Sequence, residues 1–415
     1  MATTGDSAAS TRQRSDWHEA LAASITRLTD RLIAVRRHFH RHPELSGRER
    51  ETTRQLKEWL EEAGADVLVA PQGCGLVADL SNQVASGRTV RFAMRADLDA
   101  LRIEDCKQVP YRSRVPGVMH ACGHDAHSAM LLGAMLAVRE LIDDGVVTFP
   151  VHCRAIFQPA EETSAGAREM IRMGALERVA TIVALHVDPS REVGRVGLRR
   201  GVLTSNCDEV QITIHGRGGH AARPHEARDP VAAAAQLVNA LYTYIPRLTN
   251  SQDAVVLTIC QVEAGDNANV IPESVKLKGT LRTLDEPIRL GTMEHIAQIA
   301  RGVSEITQTR IEVGYGVSAP SVINDRDAVD LLRQCTVQVV GEEGVEWIAR
   351  PSMGSEDFAM YLQQVPGALA RLGCRGPRRG GRPLHSPDFD IDERALAIGS
   401  RLLAEAVLRW WEMRA

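Results

Sequence analysis

The densest group of side chains that could do chemistry lies in nine residues, from Met119 to His127. This segment, MHACGHDAH, contains three histidines, one cysteine and one aspartate. Thiolate and imidazole groups are good ligands for zinc and similar divalent metals. A single histidine is more often an ordinary core or surface residue than a ligand, but so many donors together reverse that expectation. A structural zinc site is less well supported, because such sites commonly use C-x-x-C pairs and the eight cysteines include none.

A second group of candidate residues follows a predicted buried strand over 151–157, in the segment FQPAEE. The adjacent carboxylates of Glu161 and Glu162 would stand at the carboxyl end of that strand, where open α/β sheets place their sites. One carboxylate could bind a cation while the other acts as a base in metal-assisted hydrolysis. The alternative is that both residues begin a solvated helix, where the helix dipole favours acidic side chains. The residues alone leave these two possibilities equally open.

Two further histidines complete the candidate set. His186 ends a predicted strand, and His385 lies in the segment LHSP. Together with Cys122, His124 and one glutamate, they would supply five protein ligands. That number suits two metal ions that share a bridging ligand, so the residue types indicate a dinuclear metallohydrolase.

Alternating helices and strands must position these side chains. The hydrophobic patterns predict helices over 24–41, 49–63, 127–143, 165–173, 326–340 and 392–413, and strands over 65–69, 75–80, 89–95, 151–157 and 181–186. Alternation of this kind predicts an α/β layer architecture for most of the chain.

The middle of the chain has a different order of elements. Strands are predicted over 208–216, 254–262, 275–282 and 310–315, and helices over 230–245 and 287–307. The order β-α-β-β-α-β is the split βαβ pattern of a ferredoxin-like domain. We therefore expect an inserted α+β domain at 205–316, between a first part of the catalytic domain at 17–204 and a second part at 317–415.

Composition excludes several classes of protein. The 415 residues are 44% hydrophobic and 25% charged, close to the average for soluble globular proteins. A net charge of -4 makes a nucleic-acid binder that relies on phosphate contacts a poor candidate. No apolar run reaches the ~18 residues of a membrane span, and the first twenty residues lack the apolar core of a signal peptide. We therefore expect a cytoplasmic protein without a nucleic-acid or membrane partner.

The sequence also resembles a known family, the dinuclear metal amidohydrolases related to aminoacylase and carboxypeptidase. Within it, the chain is most similar to the branch of hippurate hydrolases, N-acyl-amino-acid amidohydrolases and indole-acetyl-amino-acid hydrolases. The resemblance runs from about Arg31 to Leu403 and is carried by ten ordered blocks: HRHPELS (40–46), MRADLDAL (94–101), MHACGHDAH (119–127), FQPAEE (157–162), ALHV (184–187), GRGGHAARPHEARDP (216–230), NANVIPE (267–273), GTLRT (279–283), GSEDFA (354–359) and LHSPDF (384–389).

The resemblance implies a fold and a metal centre. The fold is a zinc-peptidase-like catalytic domain, a mixed sheet with helices on both faces, into which a ferredoxin-like lid and dimerisation domain is inserted. Two divalent ions (zinc, manganese, cobalt or nickel) are implied, with Cys122 as the bridging ligand. The terminal ligands would be His124, Glu162, His186 and His385.

The resemblance also implies the residues that perform the reaction. Glu161 looks like the general base, which takes a proton from water and delivers it to the leaving amine. Asp97 would not be a metal ligand, and Asp99 would hold a metal ligand in position without contacting the metal itself. His220 of the inserted domain would reach the active site of a partner subunit in a homodimer and stabilise the oxyanion. The alternative for His220 is a glycine-rich hairpin whose histidine faces water.

Substrate-binding positions follow from the same resemblance. Asn269, Arg282 and Gly354 would hold the substrate, and the planar fork of Arg282 suits a carboxylate. A purely structural ion pair is an equal alternative for Arg282. The chain departs from the family pattern at the pocket edge: Asp188 stands after the ALHV segment, where an aromatic residue is common, and Thr163 follows the glutamates, where glycine is common.

These observations favour a metal-dependent amidase that cleaves N-acetyl, N-benzoyl or aryl-acetyl amino acids to a carboxylic acid and a free amino acid. The alternative among enzymes is a carboxypeptidase or dipeptidase that uses the same metals on a peptide bond. The alternative from another class is a non-catalytic, metal-stabilised dimer that binds acyl-amino acids. Such a dimer is expected to have lost Glu161 or a metal ligand, and this chain retains all of them.

Overall fold

The structure is a computed structural model that describes residues 17–82, 90–377 and 379–415. The helices are α1 (Trp17–Arg41), α2 (Arg50–Glu62), α3 (His124–Asp143), α4 (Gly166–Arg172), α5 (Pro230–Leu248), α6 (Glu286–Thr307), α7 (Arg326–Val340), α8 (Ala359–Leu362) and α9 (Arg394–Glu412). The strands are β1 (Asp66–Val69), β2 (Leu76–Ser81), β3 (Arg91–Asp97), β4 (His152–Gln158), β5 (Val179–Glu192), β6 (Val196–Leu198), β7 (Gly201–Val202), β8 (Asn206–His215), β9 (Gly219–His220), β10 (Val255–Glu263), β11 (Val270–Ile271), β12 (Ser274–Thr283), β13 (Arg310–Ala319), β14 (Ile323–Asn324), β15 (Val345–Trp347) and β16 (Gly367–Arg375).

The larger sheet has the strand order β1-β2-β4-β3-β5-β16-β6-β15. Its central strands β4, β3, β5 and β16 run parallel to one another, whereas β1, β2 and the β16–β6 pair are antiparallel. Strands β3, β4 and β16 are buried almost along their whole length, as expected for a sheet covered on both faces. Because four neighbouring strands are parallel, their carboxyl ends meet at one edge, and polar residues there come together.

Helices cover both faces of this sheet, so the predicted mixed α/β fold is confirmed. On one face, α1, α3 and α9 pack together over the main hydrophobic core. The approach of these helices is close at Gly133 of α3, where an added Cβ would lie 2.5 Å from the Ser400 hydroxyl and 2.7 Å from the Leu32 side chain. On the other face, α4 and α8 pack over a second core that includes Met170 and Tyr361.

Residues 206–319 form a sheet of their own with the strand order β10-β12-β8-β13, in which every pair is antiparallel. Strands β8 and β12 alternate between buried and less buried residues, which is typical of a sheet packed on one face only. Helices α5 and α6 supply that packing and enclose a separate core with Val210, Leu237 and Ile296. The order of elements follows the predicted β-α-β-β-α-β pattern, while the domain boundaries at 205 and 316 stay a prediction.

Several observed elements differ from the predicted ones: α1 begins at Trp17 and not at residue 24, and the short elements β6, β7, β9, β11, β14, β15 and α8 were not predicted. Strand β5 continues to Glu192, so His186 lies within the strand instead of at its end. Strand β16 was not predicted, although it is the parallel neighbour of β5. Residue 89, the first of the strand predicted over 89–95, lies outside the described residues. Among the described residues, no helix is both long enough and apolar enough to cross a membrane.

Candidate active site

The loop before α3 places the first two candidate ligands. Gly123 caps this helix at its amino end with φ 88°, in the left-handed region that favours glycine. A Cβ at this position would collide with the Val187 side chain, so the close approach of the loop to β5 also requires glycine. The turn holds Cys122 just outside the helix and makes His124 its first residue, and both side chains are buried.

Asp99 ties two candidate ligands together. The Nδ1 atom of His124 lies 2.9 Å from the Asp99 carbonyl oxygen and 3.2 Å from its Oδ1. The other oxygen, Oδ2, accepts hydrogen bonds from the Ser46 hydroxyl at 2.6 Å and from the Glu162 backbone N–H at 3.0 Å. Because Nδ1 donates to Asp99, the lone pair of His124 Nε2 faces the centre of the site.

His186 on β5 and His385 in the loop between β16 and α9 approach the same centre. Nδ1 of His186 donates to the Val187 carbonyl oxygen at 2.8 Å, and its Nε2 lies 3.5 Å from the Cys122 Sγ. Burial, and after it the positive charge of Arg371, lowers the pKa of His186 well below its usual range. His385 has φ 63°, and its Nε2 lies 3.5 Å from the Glu162 Oε1.

Several overlapping clusters of donor atoms occur here, and two of them contain the five predicted ligands and share one residue. Cys122, His124 and His186 have donor atoms within 4.8 Å of one another, and so do Cys122, Glu162 and His385. The side chains of these two groups are the five donors that the sequence predicted. Cys122 belongs to both groups, which is the position a bridging ligand requires.

The site has unsatisfied buried donors and acceptors that a cation would satisfy. His124 Nε2 and Glu162 Oε1 are buried, lie 3.9 Å apart, and have no hydrogen-bond partner in the described part of the chain. Burying such atoms without partners is costly. Burial also raises the pKa of the Cys122 thiol, so this group becomes a thiolate ligand only beside a positive charge. The residues present therefore fit bound divalent metal ions.

Glu161 joins the ligand cluster to an acidic group, since its Oε2 lies 3.9 Å from the His124 Nε2. Its carboxylate has an oxygen within 4.8 Å of oxygens of Glu356 and Asp357. Burial, together with the charges of Glu356 and Asp357, raises the pKa of Glu161 well above its usual range. Burial also raises the pKa of Asp357 to about 7, although Arg95 opposes the rise. A carboxyl group with a raised pKa holds a proton more firmly, which suits an acid–base role.

Arg95 and His127 are organising residues that the sequence reasoning did not single out. The fully buried Arg95 guanidinium donates to Asp97 at 2.6 Å and to Asp357 at 2.8 Å. Asp97 also lies 2.6 Å from His127 Nδ1, while His127 Nε2 accepts from the Val187 backbone N–H at 2.9 Å. Both ring nitrogens of His127 are therefore occupied, which leaves it unavailable as a ligand.

The structure places the predicted oxyanion residue His220 and the three predicted substrate-binding residues in two pairs. His220 is exposed on β9, and its strand neighbour is Val270, next to Asn269. Arg282 donates to the Met353 carbonyl oxygen at 3.0 Å, next to Gly354. Among the described residues, His220 belongs to none of the candidate ligand groups.

Glu49 accepts hydrogen bonds from the backbone of the turn that carries Glu161. Its Oε1 accepts from the Ala160 N–H at 2.8 Å and the Gly47 N–H at 3.0 Å. Ala160 has φ 52°, an uncommon value for a residue with a side chain, and it immediately precedes Glu161. Glu49 could not be recognised from the sequence, where it stands as one of several acidic residues near the start of α2.

We expect the Glu49→Gln variant to show a weaker dependence of stability on pH. Burial raises the pKa of Glu49 to about 7, above the value of an unfolded glutamate. Its carboxyl group therefore favours the folded state below pH ~4.3, and that contribution is lost as the pH rises through 7. The loss is on the order of 3 kcal/mol, and the glutamine should abolish it.

Urea denaturation between pH 5 and 8 measures this effect, with Trp59 of α2 as a nearby fluorescent probe. Glu62→Gln, at the exposed end of the same helix, is the matched control and should keep the pH dependence of the parent protein. A Glu49→Gln variant whose free energy of unfolding falls as steeply with pH as that of the parent would show that Glu49 does not titrate there.

Comparisons with known proteins agree with this geometry. The model of peptidase family M20/M25/M40 matches residues 93–409. N-acetylcysteine deacetylase of Bacillus subtilis is 36% identical over 378 residues, which cover 90% of this chain and 95% of that protein. IAA-amino acid hydrolase ILR1-like 5 of Arabidopsis thaliana is 34% identical over 391 residues, which cover 92% of this chain and 87% of that protein.

A solved structure supports the same relationship. The crystal structure of the YXEP protein of Bacillus subtilis, a dinuclear metal binding peptidase from the M20 family, matches with a TM-score of 0.78 at 32% sequence identity. The match covers 93% of this chain and 99% of that chain. The resemblance to metal-dependent amidohydrolases that the sequence blocks carried is thereby confirmed.

Proposed function

The chain belongs to peptidase family M20/M25/M40, and from that membership we propose that it hydrolyses the amide bond of N-acyl amino acids. The products are a carboxylic acid and a free amino acid. The observation that carries the proposal is the convergence of five donor side chains, in two groups that share Cys122, beside the Glu161 carboxylate. The two relatives, named for N-acetylcysteine and for IAA-amino acids, support acetyl and aryl-acetyl groups as acyl groups. The proposed acyl groups also include benzoyl.

Cys122, His124, Glu162, His186 and His385 would hold two divalent ions, of zinc, manganese, cobalt or nickel. When bound, such ions supply Lewis-acid chemistry, because they polarise a carbonyl oxygen and lower the pKa of water. Asp99 keeps His124 and the Glu162 backbone in position through the hydrogen bonds described above.

Glu161 is the residue we propose as general base. Its carboxylate takes the proton of the attacking water and then delivers it to the nitrogen of the leaving amino acid. Glu356 and Asp357 support this role, because their negative charges favour the protonated form of Glu161 after the first transfer. Arg95 fixes Asp357 and so keeps the acidic group in one arrangement.

We propose that Arg282, Gly354 and Asn269 bind the substrate and that the unit at 205–316 acts as a lid. The contact of Arg282 with the Met353 carbonyl supports a position for the substrate carboxylate beside Gly354. His220 is proposed to stabilise the oxyanion in the site of a partner subunit, in a homodimer formed through this unit. Two observations support an action across subunits. His220 is exposed, and among the described residues of its own chain it belongs to none of the candidate ligand groups. The cytoplasmic location expected from the sequence stays a prediction.

A hydrolysis panel tests the proposed function. N-acetyl, N-benzoyl and indole-acetyl amino acids are supplied with added zinc, manganese, cobalt or nickel, and the released amino acid is measured. We expect turnover of at least one acyl class. Turnover of dipeptides alone would indicate a peptidase, and metal binding without any turnover would indicate a non-catalytic binding protein.

The homodimer makes a separate prediction through complementation. His220→Ala and Glu161→Gln should each be nearly inactive, because loss of one oxyanion donor costs about 100- to 1,000-fold in rate. When the two variants are refolded together, one site of each mixed dimer regains both an intact base and an intact donor. Activity should then reappear in the mixture.

Each variant refolded alone is the control and should stay inactive. Analytical ultracentrifugation establishes whether mixed dimers are present. A mixture that contains them and shows no recovered activity would place His220 in the site of its own subunit or outside any site.

A further inference from the structure

A cavity of about 290 Å³ opens beside two of the proposed metal ligands. Its walls include Val187 and Leu384, which adjoin His186 and His385 in the chain. The cavity therefore adjoins the two segments that carry these ligands, next to the proposed metal centre. None of the residues to which we have given a role in the reaction lines it.

Arg371 lines this cavity and lies next to a proposed metal ligand. It lies on β16 and is the direct strand partner of His186 on β5. Partners in parallel strands are about 4.8 Å apart and point to the same face of the sheet. The Arg371 side chain is half-buried and makes no hydrogen bond or ion pair within the described part of the chain. An arginine held in this way has five N–H donors without a protein acceptor.

The other charges of the cavity do not neutralise Arg371. Asp188 is already paired, since its carboxylate accepts from Arg191 at 3.0 Å and from the Ser190 backbone N–H at 2.9 Å. Arg350 also lines the cavity and, like Arg371, has no carboxylate partner among the described residues. Arg191 is paired with both Asp188 and Glu346, so the positive charge of the lining comes from Arg371 and Arg350.

We propose that this cavity binds a second carboxylate of the substrate, so that the preferred substrates are N-acyl amino acids with two acidic groups. The inference rests on the proposed function and specifies its substrate class. The guanidinium of Arg371 offers the paired donors that a carboxylate accepts, and apolar neighbours such as Val187 keep water away from the pair. Asp188, in the place of the family's aromatic residue, orients Arg191 and leaves room for a polar group.

The second carboxylate can belong to either side of the amide bond, and four probes distinguish the two sources. N-acetyl-L-glutamate has it on the amino-acid side chain, and N-acetyl-L-glutamine is its neutral match. N-succinyl-L-alanine has it on the acyl group, and N-butanoyl-L-alanine is its neutral match. We expect kcat/KM of the metal-loaded enzyme to favour one acidic probe over its neutral match by about ten- to a hundredfold, the usual range for a hydrogen bond to a charged group.

Variants then assign the preference to the cavity. Arg371→Gln should reduce the acidic-to-neutral ratio by about ten- to a hundredfold, and Arg371→Lys should retain part of it, because the charge remains while the planar fork is lost. Arg195→Gln is the matched control: it removes one positive charge near Glu346, outside the cavity, and should leave the ratio unchanged. Arg350→Gln is the second variant should Arg371→Gln fail to fold, and it should lower the ratio less, since Arg350 is exposed.

The outcomes distinguish a failure of the second-carboxylate site from a failure of the proposed function. Hydrolysis of neutral and acidic probes at equal kcat/KM would leave the proposed function standing and overturn the second-carboxylate site. An equal loss on all four probes in Arg371→Gln would also overturn it, because the residue would then act on the shared α-carboxylate or on the fold. If the enzyme hydrolysed neither the four probes nor any other N-acyl amino acid, that result would contradict the proposed function itself.

Discussion

Removal of divalent metal by a chelator is expected to abolish hydrolysis of N-acyl amino acids. Among the five proposed ligands, His124 Nε2 and Glu162 Oε1 are buried atoms without a hydrogen-bond partner in the described part of the chain, and a cation would satisfy them. Without metal, neither the carbonyl group nor the water would be activated, so the rate should fall to background. Dialysis against a strong chelator, followed by an assay of the released amino acid, measures this loss.

Restoration is the control for that experiment. Addition of zinc, manganese, cobalt or nickel to the chelated protein should return activity, and the ion that restores most of it identifies the preferred metal. Circular dichroism before and after chelation tests whether the fold persists. Full activity in protein shown to be free of metal would contradict the assignment of the site.

Glu161→Gln is expected to lower kcat by about a hundred- to ten-thousandfold while the metals stay bound. That range is the usual contribution of a positioned general base. Glutamine keeps the shape of the side chain but cannot accept the proton of water. Steady-state kinetics together with elemental analysis of the same sample measure both parts of the prediction.

Glu162→Gln is the matched comparison, because the two glutamates are adjacent in one turn. It should lose metal as well as activity, since its Oε1 lies at the centre of the proposed ligand groups. The opposite pattern, with metal lost in Glu161→Gln and retained in Glu162→Gln, would exchange the two roles.

The sequence predicted most of the fold that positions the site. Helix α7 was predicted with its observed bounds, and α3 and β4 to within three residues, because long apolar patterns and capping residues define such elements. Strand β16 escaped prediction because its nine residues begin with glycine and include two arginines, a composition that resembles a loop. It is a central strand because β5 and β6 pair with it, which is a non-local property.

The candidate ligands could be named from the sequence, but their supporting residues could not. A cluster such as Cys122 and His124 is visible because the donors are close in the chain. Glu356 and Asp357 stand nearly two hundred residues after Glu161, and only the folded sheet brings the three carboxylates together. Arg371 was equally hidden, because its importance depends on the register that sets it beside His186.

The metal content of the purified protein tests the central claim most directly. Protein loaded with zinc or manganese and freed of excess ion by gel filtration is analysed for metal per chain, alongside Cys122→Ala. Two ligand groups that share Cys122 predict two ions per chain, and a clear reduction when the shared thiolate is removed. A fully active protein with fewer than two ions per chain, or a Cys122→Ala variant with unchanged metal content, would contradict the dinuclear site.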